Sequence, residues 1–232
     1  MMKQRKLLAA AVVAALGLGM SAAHADLLYN YNTGSGWNGW VDLGGNTSGT
    51  VTGLTVGNFN ILALTLTGAN TLAAPAVYDS ANISVSSSAG GSVTLAFAET
   101  GLAPISSSAA FLGSFTGTTG RGITGTDSFY VASNYPSVGD PGTPGSGAQL
   151  ATTPFGSTTG STSYSNSFNT FLSGISNPYA LVETVSLSAT GSGQHLSSDN
   201  TVEVPEPATL GLMGFALVGA GLARRQRKNK AA

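Results

Sequence analysis

Apolar residues along the middle of this chain recur at every second position. Leu62, Leu64 and Leu66 alternate with Ala63, Thr65 and Thr67, and Ile83 and Val85 alternate with serines. Val93, Leu95 and Phe97 fall on one face of the next run, and Leu181, Val185 and Leu187 share a face further on. A period of two places apolar side chains on one side of a strand and polar ones on the other. Thr, Val and Ser suit the outward side of such a pleated surface. Ser86–Gly91 reads Ser-Ser-Ser-Ala-Gly-Gly and predicts a hairpin turn between two of these runs. No long segment of period 3.6 lies between residues 26 and 203. The pattern predicts a mainly β body over 26–203, an antiparallel two-sheet β-sandwich or jelly roll.

One stretch breaks the alternation. Between residues 133 and 163 the chain carries Pro136, Pro141, Pro144 and Pro154 among Gly, Ser and Thr. Proline cannot donate to a central ladder, so this stretch predicts a long loop or mobile insertion within a single domain. Composition agrees with a turn-rich β protein: 42% of the residues are hydrophobic, only 8% are charged, and 32 are glycine. No cysteine is present, so packing must hold the fold without disulfides, and thiol chemistry is excluded.

Charge is segregated along the chain. Lys3, Arg5 and Lys6 lie at one end and Arg224, Arg225, Arg227, Lys228 and Lys230 at the other. The stretch from Asp26 to Glu206 holds all ten acids and one base, Arg121, for a net charge of −9. Such a body repels nucleic acid, so no nucleic-acid partner is expected. The basic ends flank two uncharged apolar runs, the arrangement that sets membrane topology. Met1–Lys6, the apolar run Leu7–Gly19 and the small residues of Ala23-His24-Ala25 make residues 1–25 a signal-peptide helix. Signal peptidase is expected to cut between Ala25 and Asp26. At the far end, 208–223 is an uncharged run of 16 residues before the basic tail 224–230. As a helix it spans ~24 Å, enough to cross a bilayer when Arg224, Arg225, Arg227 and Lys228 snorkel and stop transfer.

Between body and helix stands Pro205-Glu206-Pro207, where the two prolines impose an extended approach to the membrane. With the Gly- and Leu-rich run Leu210-Gly211-Leu212-Met213-Gly214 and the terminal arginines, residues 204–232 resemble the PEP-CTERM sorting signal of Gram-negative surface proteins. The resemblance implies export through the inner membrane and transient anchoring with the C-terminus cytoplasmic. It further implies cleavage at the motif by an exosortase-type membrane transpeptidase, a final place at the cell surface or outside the cell, and an association with extracellular polysaccharide or biofilm. The body is similar, through Val93–Leu102 and Pro178–Glu183, to exported β domains found ahead of this tail, which implies fold and brings no catalytic residues.

Candidate chemistry in the body is sparse. A Ser-His-Asp triad would have to use His195, with Ser192 and Asp199 nearby in sequence. Glycoside hydrolysis would draw on acids such as Asp79, Glu99, Asp127 and Glu183. Asp42-Leu43-Gly44-Gly45-Asn46 and Asp140-Pro141-Gly142 are single-acid turns that match no calcium loop, so no metal or cofactor is expected. Tyr29-Asn30-Tyr31-Asn32-Thr33-Gly34-Ser35-Gly36-Trp37-Asn38-Gly39-Trp40 holds both tryptophans. Tyr29, Tyr31, Trp37 and Trp40 could stack on sugar rings, or a tryptophan could plug the sandwich while the tyrosines pack on a first strand. The first reading is therefore an exported, non-enzymatic surface or matrix protein with no catalytic residues. A carbohydrate-binding module using residues 29–40 is the alternative, and a secreted hydrolase is a further one.

Overall fold

The computed structural model describes residues 26–44, 48–68, 76–79, 83–102, 108–132, 143–176 and 178–204. Fourteen strands run through them, with no helix among the described residues. Six form one sheet in the order β11 (Ala148–Ser157), β10 (Ile123–Ala132), β13 (Tyr179–Ala189), β8 (Gly91–Leu102), β1 (Leu27–Asn32) and β2 (Val41–Asp42). The other eight form a second sheet, whose main path is β12 (Thr162–Ser173), β9 (Ser108–Thr119), β14 (His195–Val204), β6 (Ala76–Asp79), β5 (Phe59–Thr67) and β3 (Ser48–Val51). Off that path, β4 (Leu54–Val56) pairs with β5, and β7 (Ile83–Ser87) pairs with β14 and β5. The strand pairings are antiparallel, and the expected two-sheet sandwich is present.

The core lies where the alternation put it. Odd-numbered Phe97, Phe129 and Val185 from the six-stranded sheet meet Ile61, Tyr78, Phe115 and Val202 from the other, all essentially without exposure. The rings of Phe115 and Phe129 stack across the layers with centroids 5.1 Å apart, and Tyr78 meets Phe129 edge-on at 5.7 Å. Glycines on the strands make room for aromatics on their neighbours. Gly113 pairs with Phe168 and Gly117 with Tyr164 between β9 and β12, while Gly125 pairs with Phe155 between β10 and β11. A Cβ on Gly117 would lie 2.6 Å from the Tyr164 ring, so only glycine admits that ring. Phe155 and Tyr164 then stack at 5.1 Å, tying β11 to β12.

Three expectations are corrected. The stretch 133–163 is not one loop. Its first part, 133–142, lies outside the described residues, but Ala148–Ser157 is a ten-residue strand and β12 begins at Thr162. Proline is tolerated there because β11 is an edge strand, where half of the N–H groups need no ladder partner. Ser86–Gly91 is not a hairpin turn, since β7 and β8 belong to different sheets and the chain crosses the sandwich between them. Leu62 does not share a face with Leu64 and Leu66. A bulge between Ile61 and Ala63 inserts one residue against β7, so the inward phase changes from Phe59 and Ile61 to Leu64 and Leu66. Leu62 is left 53% exposed. Both terminal helices of the sequence reading lie outside the described residues.

Candidate functional site

On β1, β10, β13 and β8 as far as Ala98, even-numbered residues point away from the core, and along them this outer face divides into two halves. On one half Leu28, Ala96, Ala98, Ala132, Ala180 and Val182 make a second apolar cluster. Their side chains are small, and Trp40 closes over them, only 3% exposed, with Trp37 and Tyr130 packed beside it. On the other half the outward residues carry hydroxyls: Ser92 and Thr94 on β8, Ser186 and Ser188 on β13, Thr124 and Thr126 on β10. These floor a groove of about 550 Å³, walled on one side by Asn32, Thr33 and Gly34. No charged side chain lines it.

The groove is built by side chains that satisfy one another. Thr94 Oγ1 and Ser186 Oγ are 3.1 Å apart across β8 and β13, and Ser92 Oγ donates to Ser188 Oγ at 3.4 Å. Each hydroxyl in such a pair retains hydrogen-bonding capacity toward a ligand or water. The wall is held by its own sequence. Asn32 Oδ1 accepts the N–H groups of Gly34 (2.7 Å) and Gly36 (3.3 Å), and both glycines take positive φ, 99° and 114°. Asn30 Oδ1 accepts the N–H groups of Tyr31 and Gly39, which fixes the path that carries Trp40 back over the sheet.

The aromatic segment does not form one platform. Tyr29 and Tyr31 pack against the main core between the sheets, whereas Trp37 and Trp40 pack on the opposite side of the same sheet. Burial, reinforced by Tyr31, raises the pKa of the Tyr29 hydroxyl. Asn32 alone of this segment's amides lines the groove. The six floor hydroxyls were not among the candidates. Their only mark in the sequence is that serine and threonine fill the outward positions of β8, β10 and β13, as they do on strands with no groove.

The acids considered for hydrolysis lie elsewhere. Glu99, Asp127 and Glu183 sit on the inward faces of β8, β10 and β13 with no exposed surface. They lie between the sheets, closed off from solvent. Asn200, also fully buried, donates through Nδ2 to Asp127 Oδ2 (2.5 Å) and Glu183 Oε1 (2.6 Å). The Tyr78 hydroxyl donates to Glu183 Oε2 at 3.1 Å. Burial, then the neighbouring Glu183, pushes the Asp127 carboxyl well above the usual carboxylate range. Burial and Glu183 likewise raise the Tyr78 hydroxyl. Asp79 is a strand residue of β6, paired with Thr67 and Thr201.

The remaining candidates stay apart. His195 and Asp199 are exposed and four residues apart on β14, ~13 Å along a strand, too far for a hydrogen-bonded pair. Asp42 Oδ1 accepts the N–H of Gly44 at 2.7 Å, which closes a simple turn, and Asp140 lies outside the described residues. Among the described residues no group of three or more His, Cys, Asp or Glu is placed to hold a metal ion. Ala23, Ala25, Pro205, Glu206, Pro207, Arg224, Arg225, Arg227 and Lys228 also lie outside them. Asp26 is exposed at the start of β1, and its carbonyl accepts the Thr100 N–H at 3.0 Å.

The described residues form an acidic sandwich that ends in a strand at Val204, directly before a Pro-Glu-Pro segment. Residues 203–228 match the model of the PEP-CTERM protein-sorting motif, so the chain carries the sorting signal of an exported surface protein. No curated protein matches the sequence. Among solved structures, a structure of TmCBM61 in complex with beta-1,4-galactotriose shares 9% identity at a TM-score of 0.34, covering 77% of this chain and 88% of that one. The PA14 sugar-binding domain from an RTX adhesin shares 11% at 0.31, covering 77% and 90%. A structure of infectious bursal disease virus, Gx strain, shares 16% at 0.34, covering 80% and 52%. At these scores the likenesses decide neither ligand nor activity.

Proposed function

We propose that this is a non-enzymatic surface or matrix protein of a Gram-negative envelope whose β body holds neutral polysaccharide along the outer face of its six-stranded sheet. The observation that carries the reading is the uncharged, hydroxyl-floored groove beside Asn32. Sugar hydroxyls both donate and accept, as serine, threonine and asparagine do. An open groove admits a polymer along its length. A body of net charge −9 disfavours anionic polymers, which selects neutral ones. Export would remove residues 1–25 through signal peptidase, and an exosortase-type transpeptidase would act at Pro205–Pro207. Because β14 ends at Val204, the motif follows the folded sheet with no linker between them.

Affinity electrophoresis of the mature protein through gels containing neutral or anionic polysaccharides tests the reading. Neutral glycan should retard the wild type, and Ser186→Phe, which fills the floor, should abolish the retardation. Phe171→Ala, on the other sheet, should leave it intact. Equal retardation of Ser186→Phe and wild type would overturn the groove as the site. Release of reducing ends by the protein would overturn the non-enzymatic reading.

A further inference from the structure

Among the described residues the two sheets have four edges, and three of them are guarded against pairing with another chain. In the six-stranded sheet β2 has only 2 residues, and β11 carries Pro154. In the eight-stranded sheet one edge is shared by β3, with 4 residues, and β4, with 3. Short length and proline are the devices that blunt an edge. The fourth edge, β12, has 12 residues, Thr-Ser-Tyr-Ser-Asn-Ser-Phe-Asn-Thr-Phe-Leu-Ser, with no proline, glycine or charge. Its only sheet partner among the described residues is β9. Its inward side chains are committed: Asn166 Nδ2 donates to Thr153 Oγ1 (2.6 Å), and Thr170 Oγ1 donates to the Leu150 carbonyl (2.8 Å). These contacts tie the strand to β11 of the other sheet, and no described strand pairs with its outer edge. Phe171, on the outward face beside that edge, is 69% exposed, the most exposed large hydrophobic residue among those described.

Charge points the same way. The strands β9, β11 and β12 contain no charged residue, so one flank of an otherwise acidic body is neutral. Two copies of a body whose residues 26–206 carry a net charge of −9 repel least when they meet there. We propose that β12 is a self-association edge, pairing antiparallel with β12 of a second copy so that the eight-stranded sheets join into one continuous sheet. An antiparallel pair of identical strands is two-fold symmetric and satisfies the backbone groups of both edges. Phe171 of each copy gains cover from the partner strand. The proposal does not depend on the glycan reading, since the groove lies on the other sheet.

The absence of cysteine makes the test clean. Single cysteines are placed in the full-length exported chain at Ser163, Ser165, Ser167, Asn169 and Ser173, outward positions of β12. Ser197→Cys, exposed on β14 of the same sheet, is the control. Across a two-fold antiparallel pair a residue near the axis meets its own copy with Cα atoms ~5 Å apart, within disulfide reach. Oxidation should therefore give disulfide dimer that peaks at one β12 position, at least tenfold above Ser197→Cys, and falls on either side. Adding lysine at the two outward β12 positions nearest the cysteine of the peak variant, such as Ser165→Lys and Asn169→Lys around Ser167→Cys, should abolish the dimer while leaving the melting temperature unchanged, as expected for two exposed positions. Flat cross-linking along β12, or a dimer insensitive to the lysines, would overturn the proposal. So would cysteines that resist thiol reagents in a monomeric chain, because the edge would then be covered by its own chain.

Discussion

Replacing Asp127 by asparagine should stabilise the sandwich increasingly as the pH rises. Asp127 is fully buried between the sheets, accepts a hydrogen bond from Asn200 and shares one with Glu183. No Lys or Arg lies near it in the core; Arg121, the only basic Lys or Arg residue described, is exposed. The folded state therefore favours the protonated carboxyl, and its pKa lies well above the 3.8 of a free aspartate. A carboxyl with a raised folded pKa binds a proton in the native state and releases it on unfolding. Its contribution to stability is full below the unfolded pKa and is lost as the pH climbs toward the folded one. Over that window stability falls by about 1.4 kcal/mol per pH unit. Asparagine is neutral at every pH, can accept from Asn200 and can donate to Glu183, so it removes this slope while keeping the shape. Thermal melts of both proteins followed by circular dichroism between pH 5 and pH 8 measure the difference. The variant's advantage should grow with pH across that window, by up to about 3–6 °C per pH unit for a domain of this size. A difference that is constant with pH, or that shrinks as pH rises, would show that the buried carboxyl is ionised and refute the reasoning.

Other consequences follow from packing and from the tail. Gly117→Ala puts a Cβ 2.6 Å from both the Tyr164 ring and the Ser197 carbonyl, and should cost about 1–3 kcal/mol in urea unfolding. Leu64→Ala, in the core, should cost about 2–5 kcal/mol, whereas Leu62→Thr, at the bulge, should change stability by less than about 0.5 kcal/mol. Glu206→Ala with Pro207→Ala should leave membrane insertion intact but trap full-length precursor in the inner membrane of an exosortase-bearing host, visible by fractionation and mass spectrometry. Processing of that variant at the wild-type rate would leave only a plain membrane anchor.

A sequence poor in charge nevertheless places three acids in its core. Glu99, Asp127 and Glu183 occupy inward positions of adjacent strands β8, β13 and β10, where the alternation calls for apolar residues. Asn200 and Tyr78 reach in from the other sheet and donate to Asp127 and Glu183. A buried polar group is tolerated only when such partners exist, and here the partners come from strands far apart in sequence.

The sequence by itself determined what depends on local order. Period-two alternation is a one-strand property, so Val93, Leu95, Phe97, Leu181, Val185 and Leu187 could be assigned to a buried face without knowing their partners, and all six are buried. The sorting signal is likewise linear, and its Pro-Glu-Pro, apolar run and basic end are legible in order along the chain. Tertiary structure decided everything that depends on pairing. Whether Ser86–Gly91 turns back within a sheet or crosses between sheets depends on which strands β7 and β8 find, and both outcomes need the same flexible residues. Pro154 reads as a strand breaker until β11 proves to be an edge, and Leu62 reads as core until a bulge displaces it. Trp37 and Trp40 stand beside Tyr29 and Tyr31 in sequence, yet the strand between them has two faces and the sheet separates the pairs. The groove is assembled from hydroxyls on three strands and one loop. A serine on a strand carries no mark of what lies across from it; only its neighbours in the sheet make it part of a site.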